Sequence, residues 1–153
     1  MMNLSCKVLS ALKGKTLVTA ESCTGGGIGA ALTAVSGSSQ VYKGGVICYT
    51  DWVKHNVLGV EQELLDRYGA VSSHVAKSMA SGVRKLLQAD VAVSVTGLAG
   101  PDGDSFGNPV GTVYIGYCSE QKNDVREFTF SGDRESVRRQ AVEAALNLIL
   151  QNN

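Results

Sequence analysis

The stretch Thr16-Leu17-Val18-Thr19-Ala20-Glu21-Ser22-Cys23-Thr24-Gly25-Gly26-Gly27-Ile28-Gly29-Ala30 decides the fold. Its first residues, Thr16–Ala20, are apolar or β-branched and read as a short buried strand. A small-residue run from Ile28 to about Ala34 reads as a helix, so the polar and glycine residues between them form a strand-to-helix turn. Such a turn leaves backbone N–H groups at the carboxyl end of a sheet, backed by a helix dipole. Those groups suit negative charge, either a bound phosphate or an oxyanion formed during a reaction.

Before this stretch, Leu4–Lys13 carries Leu4, Val8, Leu9 and Leu12 at helical spacing, and Gly14 is a natural stop. After the central turn, Ser36–Gln40 reads as a loop and Val41–Thr50 as a strand or hairpin arm. A helical turn around Trp52–Leu58 and a short helix over Glu61–Tyr68 follow. Ser72 is placed to cap a longer helix with Val75, Met79, Val83 and Leu86 on one face. Asp90–Thr96 is a valine-rich strand, Gly97–Pro109 a glycine, proline and aspartate loop, and Gly111–Ser119 and Val125–Phe130 a hairpin. Asp133 can cap a last helix through Val137, Ala141, Ala144, Ala145 and Leu148. Strands separated by helices, then a late hairpin, predict a three-layer α/β/α sandwich whose mixed sheet is mostly parallel with one antiparallel strand. With no internal repeat or linker, residues 1–153 read as one domain.

Composition narrows the function. Fourteen Lys and Arg balance fourteen Asp and Glu among 153 residues, which argues against a nucleic-acid partner and against a polybasic membrane binder. Hydrophobic residues make up 44%, enough for a substantial core, yet no apolar run approaches the ~20 residues of a membrane span. Lys7, Lys13 and Lys15 interrupt any signal-peptide core. Cys6, Cys23, Cys48 and Cys118 are scattered without a C-x-x-C pair, which suits reduced thiols in a cytoplasmic protein. With only His55 and His74 beside them, no zinc site is expected.

The turn admits two chemical readings. Gly25–Ala30 satisfies G-x-G-x-x-A, with Asp51 about twenty residues on, as a dinucleotide site would. The chain is too short for a six-stranded dinucleotide fold with a substrate domain. Alternatively, Ser22 is a nucleophile exposed where strand passes into helix. A Ser-His-Asp triad is poorly supported, since neither His55 nor His74 has a convincing acidic partner in sequence. A lysine of lowered pKa can serve as base instead, and Lys54, on the turn after the strand that holds Tyr49, is the candidate. Parallel neighbouring strands would bring both ends to one sheet edge. Each residue also has a plainer role. Ser22 and Thr24 can be helix N-caps, Lys54 a surface lysine, Tyr49 a half-buried strand residue, and Cys23 a core filler or a rival nucleophile.

Ala20-Glu21-Ser22-Cys23-Thr24-Gly25-Gly26 resembles the signature of the CinA C-terminal domain family, the nicotinamide-nucleotide amidases. The likeness continues through Ser36-Gly37-Ser38-Ser39, Gly45–Tyr49, Lys54, Leu58-Gly59-Val60, Gly69–Ser72, Thr96–Pro101, Pro109–Val113 and Phe130–Arg134. It implies a three-layer α/β/α domain in the stand-alone form, hydrolysing nicotinamide mononucleotide to nicotinate mononucleotide and ammonia without metal or redox cofactor. By the same likeness Ser22 is the nucleophile, assisted by Lys54 and Tyr49, and the protein is a homodimer or higher homo-oligomer.

Backbone amides of the Ser22–Gly26 turn, which includes the substrate-binding candidates Cys23, Thr24, Gly25 and Gly26, or that of Gly97, would hold the oxyanion. Thr96 and the flexible Gly97–Gly103 loop would wall the pocket, and Arg134 and Arg138 would meet the phosphate. Two stretches depart from the family: Thr50-Asp51, which bears on the placing of Lys54, and Asp102-Gly103-Asp104. The first leaves room for a non-catalytic nucleotide-binding module of the same fold.

Overall fold

The computed structural model describes every residue, Met1–Asn153. In chain order it runs α1 (Met2–Ala11), β1 (Leu17–Glu21), α2 (Gly27–Thr33), β2 (Tyr42–Ile47), α3 (Asp51–Asn56), α4 (Gln62–Tyr68), α5 (Ser73–Leu87), β3 (Val91–Gly97), β4 (Thr112–Ser119), β5 (Asn123–Thr129) and α6 (Arg134–Gln151). The five strands form one sheet in the order β2-β1-β3-β4-β5. β1 pairs in parallel with β2 and β3, while β4 lies antiparallel to both β3 and β5, so β4 alone runs against the rest. This is the mixed sheet the sequence implies.

Helices cover both faces. Val8 of α1 and Leu12 just after it, Ile28 and Leu32 of α2, and Val137 and Leu146 of α6 pack with Val93, Val95, Val113 and Ile115 of the sheet. On the other face Leu65 of α4 and Val75, Met79 and Val83 of α5 pack with Val18, Ala20, Ala92 and Cys118. The longest helices start as their caps dictate: Ser72 Oγ accepts from the Val75 amide at 3.2 Å, and Asp133 Oδ1 from the Ser136 amide at 2.9 Å. β2 ends at Ile47, short of the expected Thr50, because Thr50 turns out of the strand and caps α3.

The chain leaves β1 to lay β2 on one side and later returns to lay β3 on the other. The order therefore reverses at β1, and a crevice opens beyond the carboxyl ends of β1 and β3, where open α/β sheets bind ligands. Glu21 pairs in register with Ile47 and with Val95, so the residues that follow β1 and β2 emerge at this same edge, beside the end of β3. No helix is long and apolar enough to cross a membrane.

Candidate active site

Ser22 is the first residue beyond β1, its amide held by the Val95 carbonyl at 2.9 Å. Beyond β2, the Cys48 amide bonds the Glu21 carbonyl at 2.9 Å, and α3 then folds back over the sheet edge. That return brings Lys54, in the last turn of α3, against Ser22: Nζ lies 3.0 Å from Oγ. Lys54 is 1% exposed and Ser22 7%, and no carboxylate pairs with the lysine. Its other partners are main-chain carbonyls, Cys48 O at 2.9 Å and Tyr49 O at 3.4 Å. Burial holds the Lys54 pKa below its ordinary value, against the opposing pull of Cys48, Asp51 and Cys23.

The carbonyls also set which way the amine faces. A neutral amine that donates both hydrogens to them has its lone pair left for the Ser22 hydroxyl. The neighbouring thiols are less apt nucleophiles. Burial pushes the Cys23 thiol up to about 11, although its own amide, Lys54 and Arg138 draw it down. Cys48 is likewise raised to about 11, chiefly by burial. Both are therefore protonated, and unreactive, near neutral pH.

A cavity of about 430 Å³ opens on this pair, lined by Ser22, Cys23, Tyr49, Lys54, Thr96, Gly97, Arg134 and the loop through Phe106. The volume falls in the ~300–1,000 Å³ range of small-molecule sites. The Cys23 amide donates to no main-chain carbonyl. Thr96 lines the cavity, but its hydroxyl donates to the Ala70 carbonyl at 2.8 Å. Gly97 is needed for space, since a Cβ there would stand 2.6 Å from Val113 Cγ2.

Hydrogen bonds organise the loop. Asp104 accepts from the Phe106 and Asn108 amides and from Asn108 Nδ2, and Asn108 Nδ2 also reaches the Val71 carbonyl. Asp104, one of the residues by which the sequence departs from the family pattern, is thus what organises the loop. No three His, Cys, Asp or Glu side chains gather as a metal site would require.

Arg134, the first residue of α6, bridges the cavity mouth. Its guanidinium donates to the Gly100 carbonyl at 2.6 Å and to the Tyr49 hydroxyl at 3.0 Å. Tyr49 is 57% exposed, and only its carbonyl oxygen touches Lys54. Its hydroxyl thus lies at the arginine end of the cavity.

Arg138, expected beside Arg134, does not line the cavity. Its Nε donates to Cys23 O at 3.0 Å and its Nη2 to Thr24 O at 3.2 Å, so it braces the turn from outside. Thr24, Gly25 and Gly26 also lie outside the cavity. The Thr24 hydroxyl donates to Glu21 Oε1 at 2.8 Å. Gly25 and Gly26 take left-handed conformations, φ 59° and 104°, that let the chain reverse into α2.

Nor are Ser22 and Thr24 helix caps, since the residue at that position is Gly26. The buried Glu21 carboxylate sits on the Ile28 and Gly29 amides at 2.7 and 3.0 Å instead. It occupies the place where a dinucleotide's pyrophosphate would bind, which overturns that reading of Gly25–Ala30.

Residues 2–152 match the CinA C-terminal domain. The chain belongs to the CinA C-terminal domain family. It is 44% identical over 154 residues to the nicotinamide-nucleotide amidohydrolase PncC of Escherichia coli strain K12, covering 99% of this chain and 93% of that one. A CinA-like protein of Endomicrobium trichonymphae is 47% identical over 135 residues, 88% of this chain but 32% of its own. This CinA C-terminal domain thus spans about a third of the length of some curated relatives and nearly all of others. Among solved structures, the competence damage-inducible protein A of Klebsiella pneumoniae superposes with a TM-score of 0.95 at 39% identity, covering 98% and 94% of the two chains.

Within this CinA C-terminal domain, sequence reasoning brought Ser22, Lys54, Thr96, Gly97, Cys23, Tyr49 and Arg134 to one cavity and misplaced the turn residues. It passed over Glu21. The available signal was a carboxylate immediately after a buried strand and before a glycine turn that has no basic residue nearby in sequence.

Proposed function

We propose that this chain hydrolyses the carboxamide of nicotinamide mononucleotide to nicotinate mononucleotide and ammonia. The observation that carries the reading is the buried Lys54 amine 3.0 Å from the Ser22 hydroxyl, in a cavity whose mouth bears an arginine. The name of the Escherichia coli relative, nearly coextensive with this chain, supplies the substrate class.

In this mechanism Ser22 Oγ attacks the carboxamide carbon while its proton passes to Lys54 Nζ. The oxyanion meets the Cys23 amide, the donor directly after the nucleophile. Collapse breaks the C–N bond, and Lys54 returns the proton so that ammonia leaves. Water, deprotonated by the same amine, then opens the ester and releases the carboxylate and Ser22. The sequence balances without any change of oxidation state. Arg134 engages the phosphate at the far end, with Tyr49 holding its guanidinium.

A binding module without turnover is the second reading, and its one support was the Thr50-Asp51 departure. Thr50 caps the helix that carries Lys54, and although Asp51 favours the charged lysine, burial outweighs it, so the departure gives the module little support. Ammonia release from nicotinamide mononucleotide, measured beside calorimetric binding, separates the two. Release at a steady rate is expected, and tight binding without release would favour the module.

Self-association belongs to the same reading. β2 is an edge strand, and Ile47, Tyr49 and Trp52 are 56, 57 and 67% exposed beside it. Covering that edge with a second copy would bury them. Trp52→Glu is expected to lower the sedimentation coefficient to that of a single chain; an unchanged value places any interface elsewhere. The free thiols of all four cysteines fit a reducing, cytoplasmic setting.

A further inference from the structure

Glu21 is 2% exposed, and the one ion pair in the molecule, Arg126–Asp124, does not involve it. Burying a carboxylate without a cation is costly unless donors surround it. Four do. Oε1 accepts from the Thr24 hydroxyl at 2.8 Å and the Ile28 amide at 2.7 Å, and Oε2 from the Gly29 amide at 3.0 Å and the Thr19 hydroxyl at 3.3 Å. Glu21 immediately precedes Ser22, whereas Ile28 and Gly29 lie on the far side of the turn. One side chain therefore ties together both ends of the loop that presents the hydroxyl.

The network extends away from the cavity. Thr19 has a single hydroxyl hydrogen, which goes to Glu21, so Tyr42 donates to Thr19 across their 2.8 Å contact. Gly29 leaves the space for this chain, because a Cβ there would stand 2.8 Å from the Tyr42 oxygen.

From this geometry we infer that Glu21 is a positioning residue, fixing the Ser22 hydroxyl against Lys54 through the clamp it forms on the turn, with Tyr42 and Thr19 as its outer support. The inference rests on the reading of Ser22 as nucleophile and goes beyond it. A glutamine cannot replace Glu21, since either orientation turns its amide hydrogens toward N–H or O–H donors already aimed at that position.

The test measures how fast a fluorophosphonate modifies Ser22 in the full chain, a reaction that needs no nucleotide, beside kcat and KM for nicotinamide mononucleotide. Glu21→Gln is expected to slow modification and lower kcat about 10-fold or more, with KM within about twofold. Tyr42→Phe is expected to slow modification about threefold. A role in stability alone would lower the melting temperature and leave the folded fraction reacting at the wild-type rate.

Wild-type modification of a folded Glu21→Gln chain overturns the inference. If that variant does not fold, Thr24→Val and Tyr42→Phe decide, and wild-type rates in both overturn it. Slowed modification in a chain that never hydrolyses the nucleotide supports the clamp and removes only the proposed substrate. A wild-type Ser22 that the reagent never modifies removes the nucleophile and the clamp together.

Discussion

At the scale of single residues, the proposed chemistry depends on a lysine kept short of its usual basicity. Burial lowers the Lys54 pKa below its ordinary 10.5, so the unfolded chain binds more protons than the folded one between the two values. Stability linked to this group therefore rises with pH across that window, and its burden is fully present below the folded pKa. Lys54→Met removes the dependence. Its melting temperature relative to wild type should be highest and constant below the folded pKa and fall from there as pH approaches 10.5, and a difference flat throughout would show an unperturbed lysine. The same substitution should lower turnover by at least about 100-fold, as loss of a general base does.

Arg134→Ala should raise KM for the mononucleotide about 10- to 100-fold and leave KM for nicotinamide riboside, which lacks the phosphate, within about threefold. Equal losses for both substrates would remove the arginine from phosphate binding. Ser22 and Lys54 were legible in the sequence because a strand-to-helix turn and a lysine after the next strand have few places to go. Arg138 was not, because its carbonyl partners at Cys23 and Thr24 depend on how the turn folds back against α6.

At the scale of elements, caps and strand ends position the chemistry. The Asp133 cap fixes the start of α6, and the first residue of that helix is Arg134. Asp133→Ala should destabilise the fold by about 1 kcal/mol and raise KM with kcat unchanged, read by denaturant unfolding and steady-state kinetics. Unchanged KM would mean that the Gly100 and Tyr49 contacts hold the arginine unaided. The helices were readable where apolar spacing and a cap coincide, as in α5 with Ser72, Val75, Met79 and Val83. The cap of α2 was hidden, since it comes from Glu21, seven residues before Ile28 and within a strand. Spacing rules look for a cap at the helix start, and here the strand supplies it.

At the scale of the molecule, stability comes from packing on the two sheet faces, and only one ion pair, Arg126–Asp124 at 3.2 Å, adds to it. Such a half-exposed pair contributes less than about 1 kcal/mol. Raising sodium chloride from about 0.05 to 0.5 M should thus leave the unfolding free energy nearly unchanged by chemical denaturation in urea. A large loss would reveal charge interactions not accounted for by this pair. The α/β/α layering was legible from the alternation of strand and helix and the late hairpin. The position of the cavity followed from the reversal of strand order at β1, which emerges only when β2 and β3 are laid on opposite sides of it.

A lysine-activated serine must form a covalent acyl intermediate during turnover. Rapid acid quenching with nicotinamide mononucleotide, followed by peptide mass spectrometry, would trap that intermediate. The nicotinate mononucleotide acyl group should appear on the peptide containing Ser22, localised to that serine, and vanish in Ser22→Ala. Turnover without any adduct, or an adduct carried by Cys23, would contradict the claim.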